Sequence, residues 1–273
     1  MNPLLSVTNL CKSFAGEPVV KSVSFDVGES TTLGIVGESG SGKTTLVRSI
    51  LRAIDPDSGS VRYNSRDGWQ DLHALTARQL LPLRREIQMI FQDPFASLNP
   101  RMTVQAILEE PLIIHELGDK AWRKQRVVEM LQKVQLDPDA LARFPHAFSG
   151  GQRQRIGIAR ALILEPRLVV CDESVSALDV SVQAQILDLL ASLQSELGLT
   201  YLFVAHDLRV VHEFCDHVLV MYAGSVVEQG PVDEIFRNPK HDYTRLLLSA
   251  IPSPDPDEKL APLDRGSLNL AVN

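Results

Sequence analysis

Gly37-Glu38-Ser39-Gly40-Ser41-Gly42-Lys43-Thr44 has the spacing G-x-x-x-x-G-K-[ST]. It follows an apolar run, Thr31–Val36, and precedes an amphipathic helix expected from about Thr44 to Ile54. In that setting glycines let backbone N–H groups converge on an anion without Cβ clashes. The helix that follows points its positive end at the same anion. Lys43 is placed to reach β- and γ-phosphates and the Thr44 hydroxyl to ligate Mg²⁺. Glu38, Ser39, Ser41 and Thr45 belong to the same cradle as Gly37, Gly40 and Gly42. The plain alternative is a chance glycine-rich turn. Four fixed positions would coincide in roughly one chain in a hundred, and the strand–loop–helix context argues against it.

A second stretch, Leu168-Val169-Val170-Cys171-Asp172-Glu173, is an apolar strand ending in two acids. In open α/β sheets ligands bind beyond the carboxyl ends of the strands. Asp172 there would hold Mg²⁺ through water, and Glu173 would polarise an attacking water as general base. Acids capping a strand at the surface are common. It is the phosphate loop in the same chain that favours the chemical reading. Cys171 sits within the buried run and reads as a small core hydrophobe.

Around these motifs the chain reads as α/β. Short apolar runs, Ile87–Phe91, Thr200–Ala205 and Val218–Met221 among them, alternate with stretches of helical period. Runs without polar alternation are expected where helices cover both faces of a sheet. Leu4–Asn9 and Ser22–Val27 alternate instead, as antiparallel strands with one wet face do, and Val61–Tyr63 and Ser225–Glu228 are expected to join them. The expected fold is therefore a P-loop NTPase core with an antiparallel β subdomain and an inserted helical subdomain at about residues 92–165. Thr103–Glu110 and Lys120–Val134 carry apolar residues at three- and four-residue steps in that insertion. The nucleotide-binding domain is expected over 1–238 and a C-terminal extension over 239–273. In the extension a helix is expected at Tyr243–Ala250, and Pro252, Pro254, Pro256 and Pro262 among acidic residues read as a mobile tail. His241 and Tyr243 are read as solvated structural residues, metal binding being the less favoured alternative.

Composition sets outer bounds. The 273 residues are 44% hydrophobic and 22% charged, enough for a sizeable core. A net charge of −7 argues against a sequence-independent nucleic-acid binder, which needs a cationic footprint. Cys11, Cys171 and Cys215 are widely spaced and suggest neither a zinc site nor a disulfide framework, so a reducing cytosol is expected. No secretory signal is read in Met1–Phe14, and no apolar stretch approaches the roughly 18 residues of a spanning helix. Work at a membrane would require docking on something embedded there.

Phe148-Ser149-Gly150-Gly151-Gln152 precedes a helical run, Arg153–Leu164, and makes a second helix N-terminus with a hydroxyl and exposed N–H groups. With this motif the chain resembles the nucleotide-binding subunits of ATP-binding cassette transporters over roughly Leu4 to Pro252. Gln92 matches that family's glutamine loop. Ser176-Ala177-Leu178-Asp179 matches the loop after the catalytic glutamate, His206 the switch histidine, and Phe14 the aromatic that stacks on adenine. The resemblance implies a dimer enclosing two ATP molecules, each held by the phosphate loop of one chain and by Ser149, Gly150, Gly151 and Gln152 of the other. It further implies that His206 contacts the γ-phosphate, that Gln92 senses it together with Mg²⁺, and that Asp179 links the facing sites. Many relatives carry proline directly after the catalytic glutamate; Ser174 stands here, and ATPase activity is expected to survive.

Gln92-Asp93-Pro94-Phe95-Ala96-Ser97-Leu98-Asn99-Pro100-Arg101 is similar to a stretch of the oligopeptide, dipeptide and nickel importers, as are Cys171–Ser181 and the tail Pro239–Leu248. That branch implies two permease subunits, a second ATPase subunit of the same or a homologous kind, and an extracytoplasmic solute-binding protein. It implies a peripheral position on the cytoplasmic face of the inner membrane. Phe95 and Leu98 would contact a permease helix or else fill the local core. An iron–sulfur cluster, held in the tail of some relatives, is not expected, since no cysteine follows Cys215. The competing reading is an ATPase partner of a soluble complex such as carbon–phosphorus lyase. A DNA-repair or translation ATPase would need a long coiled-coil insertion or two heads.

Overall fold

The computed structural model describes residues 2–93 and 95–250. In chain order these begin with β1 (Pro3–Phe14), β2 (Glu17–Gly28), β3 (Thr32–Val36), α1 (Lys43–Ile50), β4 (Ser58–Ser65), β5 (Gly68–Asp71), α2 (Ala77–Glu86) and β6 (Ile87–Ile90). Next come α3 (Val104–Ile114), α4 (Lys120–Lys133), α5 (Gly150–Leu162), β7 (Leu168–Asp172), α6 (Val180–Leu197) and β8 (Thr200–Val204). The described chain ends with α7 (Leu208–Phe214), β9 (His217–Tyr222), β10 (Ser225–Pro231), α8 (Val232–Arg237) and α9 (Asp242–Ser249). Backbone contacts group the chain into two compact units, one of the residues up to Ala74 with those from Leu202 onward, the other Leu75–Tyr201.

In the first unit an antiparallel sheet runs in the order β2-β1-β4-β5. The alternation in the sequence sets its register. Leu5 lies opposite Tyr63 and Val7 opposite Val61, and all four side chains are buried. The same unit holds β3, paired in parallel with β9 from Leu33↔His217 to Val36↔Val220. Every residue of β3 is buried, as its unbroken apolar run requires. Ser225–Glu228 does not join the antiparallel sheet as expected. It belongs to β10 and pairs with β9, from Ser225↔Tyr222 to Pro231↔His217. Its alternation is the same signal an edge strand of either sheet would give. Helix α1 buries Leu46, Val47 and Ile50 and stops at Ile50, short of the expected Ile54, because Arg52 turns left-handed at φ 51°.

In the second unit β6 and β7 run parallel, from Ile87↔Leu168 to Ile90↔Cys171. Helices build its apolar core. Val104, Ile107, Leu108 and Leu112 of α3 are buried, as are Val127, Met130 and Leu131 of α4 and Ile156, Ile158 and Leu162 of α5. Side chains of this size each contribute about 1.5–3 kcal/mol when fully removed from water. Thr103, Asp119 and Ser149 cap α3, α4 and α5 by accepting hydrogen bonds from the Ala106, Trp122 and Gln152 amides. Helix α6 buries Ile186, Leu189, Leu190 and Leu193, a helical spacing, and ends at Gly198 with φ 65°.

In the C-terminal extension α9 covers all but the last residue of the expected helix, and begins at Asp242. Tyr243, expected to be solvated, is instead 1% exposed. The mobile tail expected from Pro252 onward lies outside the described residues.

Candidate functional site

In the first unit the phosphate loop leaves β3 at Val36 and enters α1 at Lys43. Gly37, Gly40 and Gly42 have φ of 151°, 81° and 99°. Two of them also sit against backbone. A Cβ on Gly37 would lie 2.2 Å from the Met221 carbonyl oxygen, and one on Gly42 would lie 2.5 Å from that of Val19. The loop is thus shaped by the ends of β9 and β2, and only glycine fits at either position. Gly42 is the N-cap of α1 and has no side chain to satisfy the first-turn amides. The Lys43 ammonium is buried, at 5% exposure, and donates to the Gly37 and Glu38 carbonyls at 2.8 and 2.9 Å. The Ser41 hydroxyl is buried without a hydrogen-bond partner. An enclosed cation, a left-handed run of glycines and an unpaired buried hydroxyl suit a polyanionic ligand.

The other predicted residues of this unit lie on β1, just after β8 and in the first turn of α1. Phe14 ends β1, 46% exposed, with the Lys12 ammonium 5.5 Å from its ring centroid. His206 follows β8 and is exposed; the next residue, Asp207, caps α7 through the Arg209 amide. Thr44 and Thr45, in the first turn of α1, are half-buried.

In the second unit Asp172 closes β7 and is 4% exposed. Glu173 follows with φ 48°, a left-handed conformation unusual for a residue with a side chain. Its Oε2 accepts a hydrogen bond from Gln92 Nε2 at 2.9 Å, so the structure brings together two residues 81 apart in sequence. Burial pushes the Cys171 thiol up to about 12, which leaves it protonated and unreactive at neutral pH. Ser149 and Gln152 form a capping box at the start of α5. The Ser149 Oγ accepts from the Gln152 amide at 3.3 Å, and Gln152 Oε1 accepts from the Ser149 amide at 3.1 Å. A Cβ on Gly151 would lie 2.5 Å from Val182 Cγ1, so the Val182 side chain would have to shift to admit it. Asp179 is the N-cap of α6, exposed, with no side-chain capping bond.

Phe95 and Leu98 part company. Leu98 is buried in the local core, whereas Phe95 is 61% exposed with the Arg153 guanidinium 4.0 Å from its ring centroid. No cluster of potential metal ligands occurs among the described residues, and the His241 Nδ1 accepts the Tyr243 amide at the start of α9. The motifs gave no sign of three partners that shape the phosphate loop. The Val19 and Met221 carbonyls are backbone atoms, and any residue could supply them. The third is the Tyr243 hydroxyl, which accepts the Glu38 amide at 2.9 Å.

A buried loop lysine between a fully buried strand and a helix N-terminus defines a phosphate-loop nucleotide-binding fold. The family described as ABC transporter matches residues 20–176, and the family described as oligopeptide/dipeptide transporter, C-terminal region, matches residues 227–271. A putative peptide import ATP-binding protein of Brucella ovis is 52% identical over 261 residues, 94% of this chain and 81% of the relative. The oligopeptide transport ATP-binding protein OppF of Bacillus subtilis is 53% identical over 240 residues, 87% of this chain and 77% of the relative. Among solved structures, cbiO1 of Clostridium perfringens, part of the ABC transporter complex cbiONQ, superposes with a TM-score of 0.77 at 26% identity, covering 87% of this chain and 92% of that one. The dimeric ATP-binding cassette MJ0796 with ADP and Pi gives 0.73 at 29% identity, covering 84% and 98%. The chain belongs to the ABC transporter family, as one of its ATP-binding and ATP-hydrolysing subunits.

Proposed function

We propose that this chain is the ATP-hydrolysing subunit of an ABC importer for peptides or related small solutes. The observation that carries the reading is the phosphate loop closed around the buried Lys43 ammonium, in a chain whose C-terminal region matches that of oligopeptide and dipeptide transporters. Two relatives are named for peptide import and oligopeptide transport, which favours transport over a soluble lyase complex.

In this reading the amides of Gly40, Ser41, Gly42, Lys43, Thr44 and Thr45, with Gly37, Glu38 and Ser39 forming the rim, wrap the phosphates of ATP, and Phe14 stacks on the adenine. Lys43 stabilises charge on the β- and γ-phosphates. Thr44, Gln92 and Asp172 offer hard oxygen donors. Gln92 suits that role because its amide nitrogen is committed to Glu173, leaving its oxygen as the acceptor. Mg²⁺, when bound, neutralises charge on the triphosphate. Glu173 orients a water and takes its proton as the water oxygen bonds to the γ-phosphorus and the bond to the ADP oxygen breaks. His206 donates a hydrogen bond to the γ-phosphate.

The capped start of α5 is the natural second anion site. Ser149, Gly150, Gly151 and Gln152 would complete the ATP site of a second ATPase subunit, with Asp179 joining the facing sites. Binding of two ATP molecules would then favour the closed pair, and hydrolysis would release it. Two transmembrane permeases would receive that motion on the cytoplasmic face of the membrane, with Phe95 exposed for contact. An extracytoplasmic binding protein would deliver solute. No helix among the described residues is long and apolar enough to cross a membrane, which fits a peripheral subunit.

The test is reconstitution of the chain in proteoliposomes with a permease pair of the oligopeptide-importer type from the same cell. Peptide uptake driven by ATP on the cytoplasmic side, lost with Glu173→Gln, is expected. Hydrolysis without uptake, with co-purification of a soluble enzyme complex, would refute the transport reading.

A further inference from the structure

We propose that Tyr243, in the C-terminal extension, is a positioning residue for the phosphate loop, acting through the Gly37–Glu38 peptide on Lys43. The inference rests on the nucleotide-site reading above and adds a residue outside every motif of that site.

The Gly37–Glu38 peptide is a rigid plane whose C=O and N–H point in opposite directions. Its carbonyl accepts the Lys43 ammonium at 2.8 Å, and its N–H donates to the Tyr243 hydroxyl at 2.9 Å. The two side chains therefore hold one peptide from opposite edges. Rotating this plane would turn the carbonyl off Lys43 and leave the Glu38 amide without its partner. Gly37, at φ 151°, has no Cβ to resist such a rotation by sterics. The Tyr243 hydroxyl supplies the restraint that the loop's own glycine lacks.

The phenol is itself held firmly. Tyr243 is 1% exposed and packs on Tyr222, ring centroids 4.3 Å apart. The chain leading to it is pinned where the Glu228 carboxylate accepts both the Lys240 and His241 amides, at 2.8 and 3.0 Å. His241 then caps the first turn of α9. Tyr222 closes β9 one residue after Met221, whose carbonyl oxygen lies against Gly37, and the Gly224 amide donates to the Ser41 carbonyl at 3.1 Å. Phenylalanine at 243 would pack on Tyr222 as well as tyrosine does. What the hydroxyl adds is the bond to the loop, so that α9 and the grip of Lys43 become parts of one linked unit.

The test measures binding of Mg²⁺ with the non-hydrolysable analogue AMP-PNP to the full chain, to Tyr243→Phe and to Lys43→Ala. Tyr243→Phe is expected to weaken binding about threefold to tenfold, as loss of one neutral hydrogen bond at a site would. It should raise KM for ATP while kcat at saturation stays close to that of the parent. Linkage requires the reverse effect in the unaltered chain: AMP-PNP should slow amide exchange in residues 243–248. Unchanged affinity in Tyr243→Phe, or exchange in α9 indifferent to nucleotide, would overturn the inference. Should Tyr243→Phe fail to fold, the exchange measurement on the unaltered chain decides alone. Equal affinity of Lys43→Ala and the parent would instead bring down the nucleotide-site reading, and this inference with it.

Discussion

Gln92 donates its side-chain amide to the carboxylate of Glu173, 2.9 Å away, and thereby fixes which of the two is the acceptor at this spot. The bond leaves the second carboxylate oxygen of Glu173 to bind a water, and it ties that carboxylate to the segment just after β6. Any movement of this segment would be felt at the proposed base.

Glu173→Gln keeps a partner for Gln92 but removes the basic oxygen. Single-turnover hydrolysis should fall roughly 100- to 10,000-fold while ATP affinity is retained. Hydrolysis at the parent rate would remove Glu173 from the mechanism.

Lys43→Ala deletes an ammonium that two loop carbonyls enclose. Nucleotide affinity should fall about tenfold or more, in line with loss of charge-assisted hydrogen bonds. Titration calorimetry with Mg-ATP reads the change directly; parent-like binding would contradict the role.

Gly37→Ala forces a Cβ to within 2.2 Å of the Met221 carbonyl oxygen at φ 151°. The expected cost is about 2 kcal/mol or more, a fall in melting temperature of roughly 4–8 °C. Thermal unfolding followed by circular dichroism would show it, and an unshifted midpoint would mean that the loop relaxes freely.

Ser149→Arg breaks the capping box at α5 and places a bulky cation where a second subunit's nucleotide is proposed to rest. In mixed dimers the variant should silence the phosphate loop of its neighbour and spare its own. The opposite pattern in a site-resolved ATPase assay would exclude completion across the dimer.

Cys11 is partly exposed, whereas Cys171 and Cys215 are buried, and burial holds the Cys171 thiol near 12, neutral at any ordinary working pH. At pH 8 iodoacetamide should modify Cys11 alone in the folded chain, and all three thiols only after denaturation. Mass spectrometry showing carbamidomethylated Cys171 in the native protein would contradict its burial.

Much of this is legible in the sequence because local chemistry determines it. A run such as Leu168–Asp172 has no wet face and so becomes an inner strand, and a G-x-x-x-x-G-K-T spacing leaves the backbone few options. Other features depend on partners distant in sequence. Ser225–Glu228 alternates equally well for either sheet, and its pairing with β9 follows from the short turn after Tyr222. Helix α2 forms around Pro82, a residue that ordinarily interrupts helices, with a capping box of Thr76 and Gln79 at its start. The 18-residue α6 carries its apolar residues at helical spacing, a signal that stands apart from any motif. Neither the Gln92–Glu173 bond nor the Tyr243–Glu38 bond has a local signature. Each joins residues that only the folded chain brings within reach.

The left-handed backbone at Glu173, φ 48°, sets heat resistance against turnover at one position under the proposed mechanism. A glutamate is held there at a cost of about 1 kcal/mol that asparagine, at ease in that conformation, would largely avoid. Directed evolution scored only on survival of heating should therefore drift toward Glu173→Asn and, if Glu173 is the base proposed above, enrich sturdier chains that no longer split ATP.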